Sequence, residues 1–176
     1  MRVRPQVPRR INWNGIILIG EAPGAEEDAV GKPFVGKSGK LLDDMLQQAG
    51  IKRSRCIVAN PFQTRPPANQ VSYFFMPKQD WKTVKPEFKK DLRTLRKLLN
   101  DYRPAVIIAL GHTAGWFTTK YIGTLVDRVG KVIPSEYGIV MQLWHPAFFF
   151  HGQQDKIPLQ VKHLKFAKRL AQRLIR

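Results

Sequence analysis

The residues best suited to chemistry gather in one stretch. Glu21, Glu26, Glu27 and Asp28 lie within GEAPGAEEDAVGKPFVGKSG, residues 20–39, of a chain whose 30 Lys and Arg outnumber its 13 Asp and Glu and set a formal charge of +17. Glycines let backbone N–H groups approach a ligand closely, and a carboxylate among them can activate water or stabilise a cation. A phosphate cradle fits less well, because both GxGxxG and GxxxxGK[ST] are missing and the acids would repel a phosphate. Read locally, the same acids also suit the first turn of a helix, where they complement its dipole.

Further residues with chemical potential are scattered along the chain. Phe34 sits in a tight Gly/Pro context, where a lone phenylalanine is ordinarily core. Ser38 opens a helical pattern as a candidate N-cap, and N–H groups at such a start can also hold a phosphate. Asn60 ends an apolar run, either as a satisfied core amide or as a side chain able to read the hydrogen-bonding edge of a base. His145 precedes Pro146 and reads as a strand-end cap or a proton-bearing group. His112, in LGHTAG, fits a helix start better than a chemical role.

The elements that must position these groups follow from hydrophobic patterning. Four short runs rich in Ile and Val, GIILIG, CIVAN, AVIIALG and GIVMQLW, are continuous rather than alternating. Strands buried on both faces read this way. Between them lie helical patterns. Leu41, Leu42, Met45, Leu46 and Ala49 share one face ahead of Gly50. Phe88, Leu92, Leu95, Leu98 and Leu99 share another, between Pro86 and Pro104. Val161, Leu164, Leu170, Leu174 and Ile175 form a third, opposite basic residues. Alternating strands and helices predict a parallel sheet covered by helices, with the site beyond the carboxyl ends of the strands. The segments following the four runs, GEAPG, NPFQTRPPANQ, GHTAG and HPAFFF, are therefore the ones to watch. The aromatic segment at residues 71–81 has no clear pattern.

Composition bounds the rest. At 176 residues, residues 1–176 suit a single domain, and 43% hydrophobic content excludes a wholly disordered basic chain. No apolar run approaches the ~20 residues of a membrane helix, and no signal-peptide core follows the basic N-terminus, so an intracellular protein (cytoplasm or nucleoid) is expected. A pI near 10.4 is the footprint of a nucleic-acid partner. The single cysteine, Cys56, can form neither an internal disulfide nor a cysteine-only metal site.

Taken together, GEAPGAEED, GKPFVGKSGKLL, the Asn ending the second strand, RPPAN, ALGHTA and HPAFFF resemble the family 4 uracil-DNA glycosylases of the uracil-DNA glycosylase superfamily. The resemblance runs from about residue 16 to residue 150. It implies a three-layer α/β/α sandwich around a four-stranded parallel sheet, and an enzyme that flips uracil out of DNA and hydrolyses its N-glycosidic bond to leave an abasic site. Alternatives are a glycosylase for another deaminated or modified base and a non-catalytic DNA-binding accessory protein on the same fold.

The resemblance also implies roles. It gives Glu27 the handling of water, Glu21 a place in the pocket beside Ala22, and His145 a hydrogen bond to uracil O2. Ala22 stands where other superfamily members carry an Asp that positions water, so the carboxylate must come from elsewhere. Phe34 becomes the stacking partner of the flipped base and Asn60 its reader. Lys37, Ser38 and Asn69 are expected at the DNA, with Phe148 and Phe149 as wedges in the minor groove. Uracil-containing DNA is the expected partner, of a monomer with no membrane attachment. One departure is sharp. Typical family 4 enzymes hold a 4Fe–4S cluster on four cysteines, whereas this chain has Cys56 alone and Thr64 in QTRPP where KCRPP would supply a thiolate. The cluster is expected to be absent, with the aromatic residues 71–81 packing in its place.

Overall fold

The structure is a computed structural model that describes residues 1–76, 83–120 and 124–175. Its centre is a five-stranded sheet of β1 (Ile16–Ile19), β2 (Ile57–Ala59), β3 (Val106–Leu110), β4 (Val132–Ser135) and β5 (Gly138–Leu143), in the order β2-β1-β3-β5-β4. The four apolar runs form β2, β1, β3 and β5, all mutually parallel, with Ile17 opposite Ile57 and Ile107, and Ile108 opposite Met141. The sheet is mixed, however, and not a four-stranded parallel one. β4 pairs antiparallel with β5, Ile133 opposite Val140. Its sequence, VIPS, hides it: every residue is exposed or half-buried, and Pro134 cannot donate to a ladder. Only an edge strand joined by a short hairpin tolerates both.

Side chains alternate across the strands, so the sheet builds a core on each face. Ile16, Leu18, Val58, Ile108, Met141 and Leu143 pack with Leu42, Met45 and Leu46 of α2 (Lys37–Gln48) and Val161, Leu164, Ala167 and Ala171 of α5 (Ile157–Leu174). Ile17, Ile19, Ile57, Ile107 and Val140 pack with Leu92, Leu95 and Leu99 of α3 (Lys89–Tyr102) and Ala114 and Phe117 of α4 (His112–Thr119). A short helix, α1 (Ala25–Val30), completes the set. Two expected details differ. The N-cap of α2 is Gly36 rather than Ser38, which lies within the first turn. At the end of α5, Leu174 and Ile175 are exposed, because the buried stripe runs through Ala167 and Ala171 instead.

The far edge of the sheet is covered by the N-terminal segment, where Gln6 and Val58 exchange N–H···O bonds of 2.8 and 2.9 Å. Beside it, Phe62 stacks on Phe74 with ring centroids 3.9 Å apart and meets Phe75 and Phe88 edge-on. This packing fixes the start of the loop after β2. Residues 77–81 of the aromatic segment lie outside the described residues.

Candidate active site

Beyond the carboxyl ends of β1, β2 and β5, the loops enclose a cavity of about 450 Å³. Glu21, Ala22, Glu27, Phe34, Lys37, Ser38, Asn60, Asn69 and His145 all line it. These residues span 125 positions of sequence, from 21 to 145, and the strand order brings them together.

Phe34 is buried and held at φ +52°, in the left-handed region that costs a bulky residue on the order of 1–2 kcal/mol. Two glycines make room for it. A Cβ on Gly39 would lie 2.0 Å from the Phe34 carbonyl oxygen, so only glycine lets α2 approach this turn. A Cβ on Gly20 would lie 2.4 Å from the Phe34 ring and 2.5 Å from Asn60 Oδ1. The ring edge and the amide oxygen thus meet over the end of β1. From α1, Glu27 braces the same turn: Oε1 accepts the Val35 and Gly36 N–H groups at 2.9 and 2.8 Å, and Oε2 accepts the Gly24 N–H at 3.1 Å. Three backbone donors orient this carboxylate and leave one lone pair of Oε2 open.

Asn60 is 6% exposed, and its Oδ1 is buried without a hydrogen-bond partner. A buried acceptor in that state costs about 1–3 kcal/mol; Gln142 Oε1, beneath His145, is in the same state, but Asn60 is the one of the two that lines the cavity. Across the cavity, the His145 ring lies 5.8 Å from Phe34, centroid to centroid, at an interplanar angle of 32°. Its Nδ1 accepts the Ala147 N–H at 3.2 Å, which leaves the proton of a neutral ring on Nε2. Burial lowers the His145 pKa to about 4, only partly opposed by the Glu27 carboxylate. The ring is therefore neutral at pH 7. Glu21 Oε2 accepts a hydrogen bond from the Thr113 hydroxyl, which reaches it from the first turn of α4.

A match to the model of the uracil DNA glycosylase superfamily extends over residues 14–171, nearly the whole chain. The chain belongs to the uracil DNA glycosylase superfamily. It is 35% identical to a type-4 uracil-DNA glycosylase of Archaeoglobus fulgidus over 147 residues, 79% of this chain and 68% of that one. With a type-4 uracil-DNA glycosylase of Thermotoga maritima it shares 32% identity over 153 residues, 81% of this chain and 69% of the relative.

The iron–sulfur cluster that the resemblance implies would call for four thiolates, and the sequence has one cysteine. Cys56, the one cysteine, is buried against Asn14, its pKa raised to about 11 by that burial, and Thr64 has no thiol to offer. Among the described residues no group of His, Cys, Asp and Glu could hold a metal ion. No described helix is long and apolar enough to cross a membrane.

At the turn after His145, Pro146–Phe150, the three phenylalanine rings differ in exposure. Phe149 is fully buried in the core, and Phe148 is half-buried, stacked on Trp144 at 5.5 Å. The exposed ring is Phe150, 47% accessible and lining the cavity. A tight 3-10 turn sends consecutive side chains in different directions, and HPAFFF does not say which of its three rings faces out.

Supporting groups were also missed. Gln160 of α5 brackets Trp144, accepting its N–H and donating 2.8 Å to its carbonyl, and so fixes the backbone that presents His145. Gln142 donates to the carbonyls of Ala109 and Gly111, holding the turn beneath His145. Both glutamines are fully buried. Their signal was available: a polar residue within GIVMQLW, and another beside the apolar stripe of α5.

Proposed function

We propose that this protein is a monofunctional uracil-DNA glycosylase, a single domain acting as a monomer on uracil flipped out of DNA. The observation that carries the reading is the Asn60 oxygen, buried and unpartnered over the same glycine as the Phe34 ring. Uracil N3–H is the donor that oxygen lacks, and the amide N–H₂ of Asn60 then faces uracil O4. Cytosine presents an acceptor at N3 and a donor at N4, the reverse of what this orientation accepts. The Phe34 ring supplies a stacking face beside it.

Breaking the N-glycosidic bond leaves negative charge on the departing base and positive charge on the sugar. His145, neutral with its proton on Nε2, donates to uracil O2 as that charge develops. The remaining lone pair of Glu27 holds the attacking water, and Glu21, oriented by Thr113, adds a second carboxylate toward the cationic sugar. This accounts for acids clustered in so basic a chain. Lys37, Ser38 and Asn69 at the rim meet the phosphates, and Phe150 is the ring available to fill the space the base vacates.

The test is incubation with end-labelled oligonucleotides carrying one uracil, hypoxanthine, xanthine or thymine, followed by alkali. Scission at uracil is expected. His145→Gln should slow single-turnover cleavage by about 10²–10⁴-fold while still binding the DNA. Glu27→Gln should do the same, its new amide also opposing the Gly24 N–H. Scission at another base alone would redirect the specificity, and scission at none would leave a DNA-binding protein without this activity.

A further inference from the structure

The turn that carries Phe34 is gripped from two sides, and only one grip belongs to the cavity. Glu27 takes the N–H groups of Val35 and Gly36. From outside, Arg53, in the turn between α2 and β2, donates through Nη1 to the Phe34 carbonyl at 2.8 Å and through Nη2 to the Pro33 carbonyl at 2.6 Å. Four consecutive residues thus give two carbonyls to a guanidinium and two N–H groups to a carboxylate. The Arg53 side chain is only 17% exposed, and Nη1 also pairs with Asp43 Oδ1 at 2.8 Å.

This grip falls where the backbone is least able to hold itself. A phenylalanine at φ +52° sits in a conformation its own sterics disfavour, and such residues persist only when the surroundings over-determine them. Charge-assisted bonds to both flanking carbonyls do so, and the rigid planar fork of arginine reaches two acceptors at once.

We propose that Arg53 is a positioning residue for base recognition, forming with Glu27 a backbone clamp that holds the Phe34 ring against Asn60 and His145. The proposal rests on the uracil reading above. Arg53 does not line the cavity and acts on the base only through the Phe34 turn. Its loss should therefore weaken preference for uracil without weakening attachment to DNA in general.

The test uses the full chain as Arg53→Met, Arg53→Lys and Asp43→Asn. Amide hydrogen exchange in the free protein reads the rigidity of the clamped turn through the two N–H groups held by Glu27. Arg53→Met should speed exchange at Val35 and Gly36 by about tenfold or more, and Asp43→Asn should leave both near the parent. Binding then compares duplexes carrying a non-cleavable 2′-fluoro-deoxyuridine or a thymidine at one position. Arg53→Met should lose about tenfold to a hundredfold of the uracil preference, with the thymidine duplex bound as by the parent. Arg53→Lys, able to reach one carbonyl at a time, should fall between. Unchanged exchange in folded Arg53→Met overturns the clamp, and faster exchange with intact uracil preference overturns its role in placing the ring. If Arg53→Met does not fold, Arg53→Lys serves in both measurements, and parent-like behaviour there overturns the proposal. A parent that shows no uracil preference strikes the functional reading instead, while exchange still decides the clamp.

Discussion

Asn60 is 6% exposed, and its Oδ1 is buried beside Gly20 and the Phe34 ring with no donor in reach. In the free protein that acceptor has lost its water and gained nothing, a cost of about 1–3 kcal/mol. Leucine shares asparagine's branching at Cγ and has no polar atom to strand, and the cavity that Asn60 lines leaves room for its larger methyl groups. Asn60→Leu should therefore return part of that cost, about 1–2 kcal/mol. For a domain of this size, 1 kcal/mol moves the melting temperature by about 2–4 °C, so a rise of roughly 2–8 °C is expected. Cleavage of uracil should be lost in the same protein, because leucine cannot accept from N3–H. A stabilised, inactive variant is the expected trade where a polar group is kept for a ligand.

The assay is a thermal melt and a single-turnover cleavage time course on parent and variant. A melting temperature that falls in Asn60→Leu would mean the oxygen has a partner in the free protein and is not held open for a base. A higher melting temperature with parent-rate cleavage would leave the fold argument standing and refute the recognition argument. Asn60→Asp supplies the opposite sign, since a buried carboxylate in that position must desolvate a charge. It should melt lower at neutral pH, and its neutral form could donate to cytosine N3, so weak cytosine excision is the signature to seek.

Other outcomes follow from the same site. His145 stays neutral down to about pH 4, whereas its unfolded counterpart takes up a proton near 6.5; the unfolded chain therefore binds more protons between these values, and stability is lost as pH falls through that window. The parent melting temperature should drop more steeply from pH 6.5 to 4 than that of His145→Gln, and equal slopes would refute the depressed pKa. With a formal charge of +17, affinity for duplex DNA should fall steeply with salt, by a slope of about −0.9 in log K against log salt per phosphate contacted. A flat response would turn the positive surface away from the backbone. Phe150→Ala should slow excision from duplex more than from single-stranded substrate at unchanged melting temperature, whereas Phe149→Ala should lose about 3–5 kcal/mol of stability; a reversed pair of results would assign the wedge to Phe149.

The parallel strands were legible because each is a continuous Ile/Val run, a pattern that only burial on both faces produces. β4 was not, since an edge strand with one face open and Pro134 in it carries no such signature. The place of the candidate site was legible in the topology: the segments after β1, β2 and β5 converge on one cavity, while GHTAG after β3 does not line it. What the sequence could not convey was direction. The rings of Phe148, Phe149 and Phe150 are adjacent letters, yet one is core, one half-buried and one exposed. Nor could it show that Thr113 rather than His112 is the member of GHTAG that reaches Glu21, because one helical position turns a side chain by about 100°. Arg53 was hidden for another reason. Its partners are backbone carbonyls, which leave no trace in residue types.

Three local costs meet in this one cavity: a left-handed phenylalanine, an unpartnered buried amide oxygen, and an imidazole held neutral by desolvation. Each belongs to a different physical class, so no single packing defect produces all three. Small domains retain about 5–15 kcal/mol of net stability, against which two or three such terms are large. Neighbouring polar groups satisfy other backbone groups around it: Gln160 pairs with both backbone groups of Trp144, and Glu27 collects three N–H donors around the Phe34 turn. That the costs stand where a flat base would supply a donor, a stacking face and an oxygen for Nε2–H is the physical argument for a recognition pocket. A protein that needed only its basic surface to hold DNA would gain stability by losing all three.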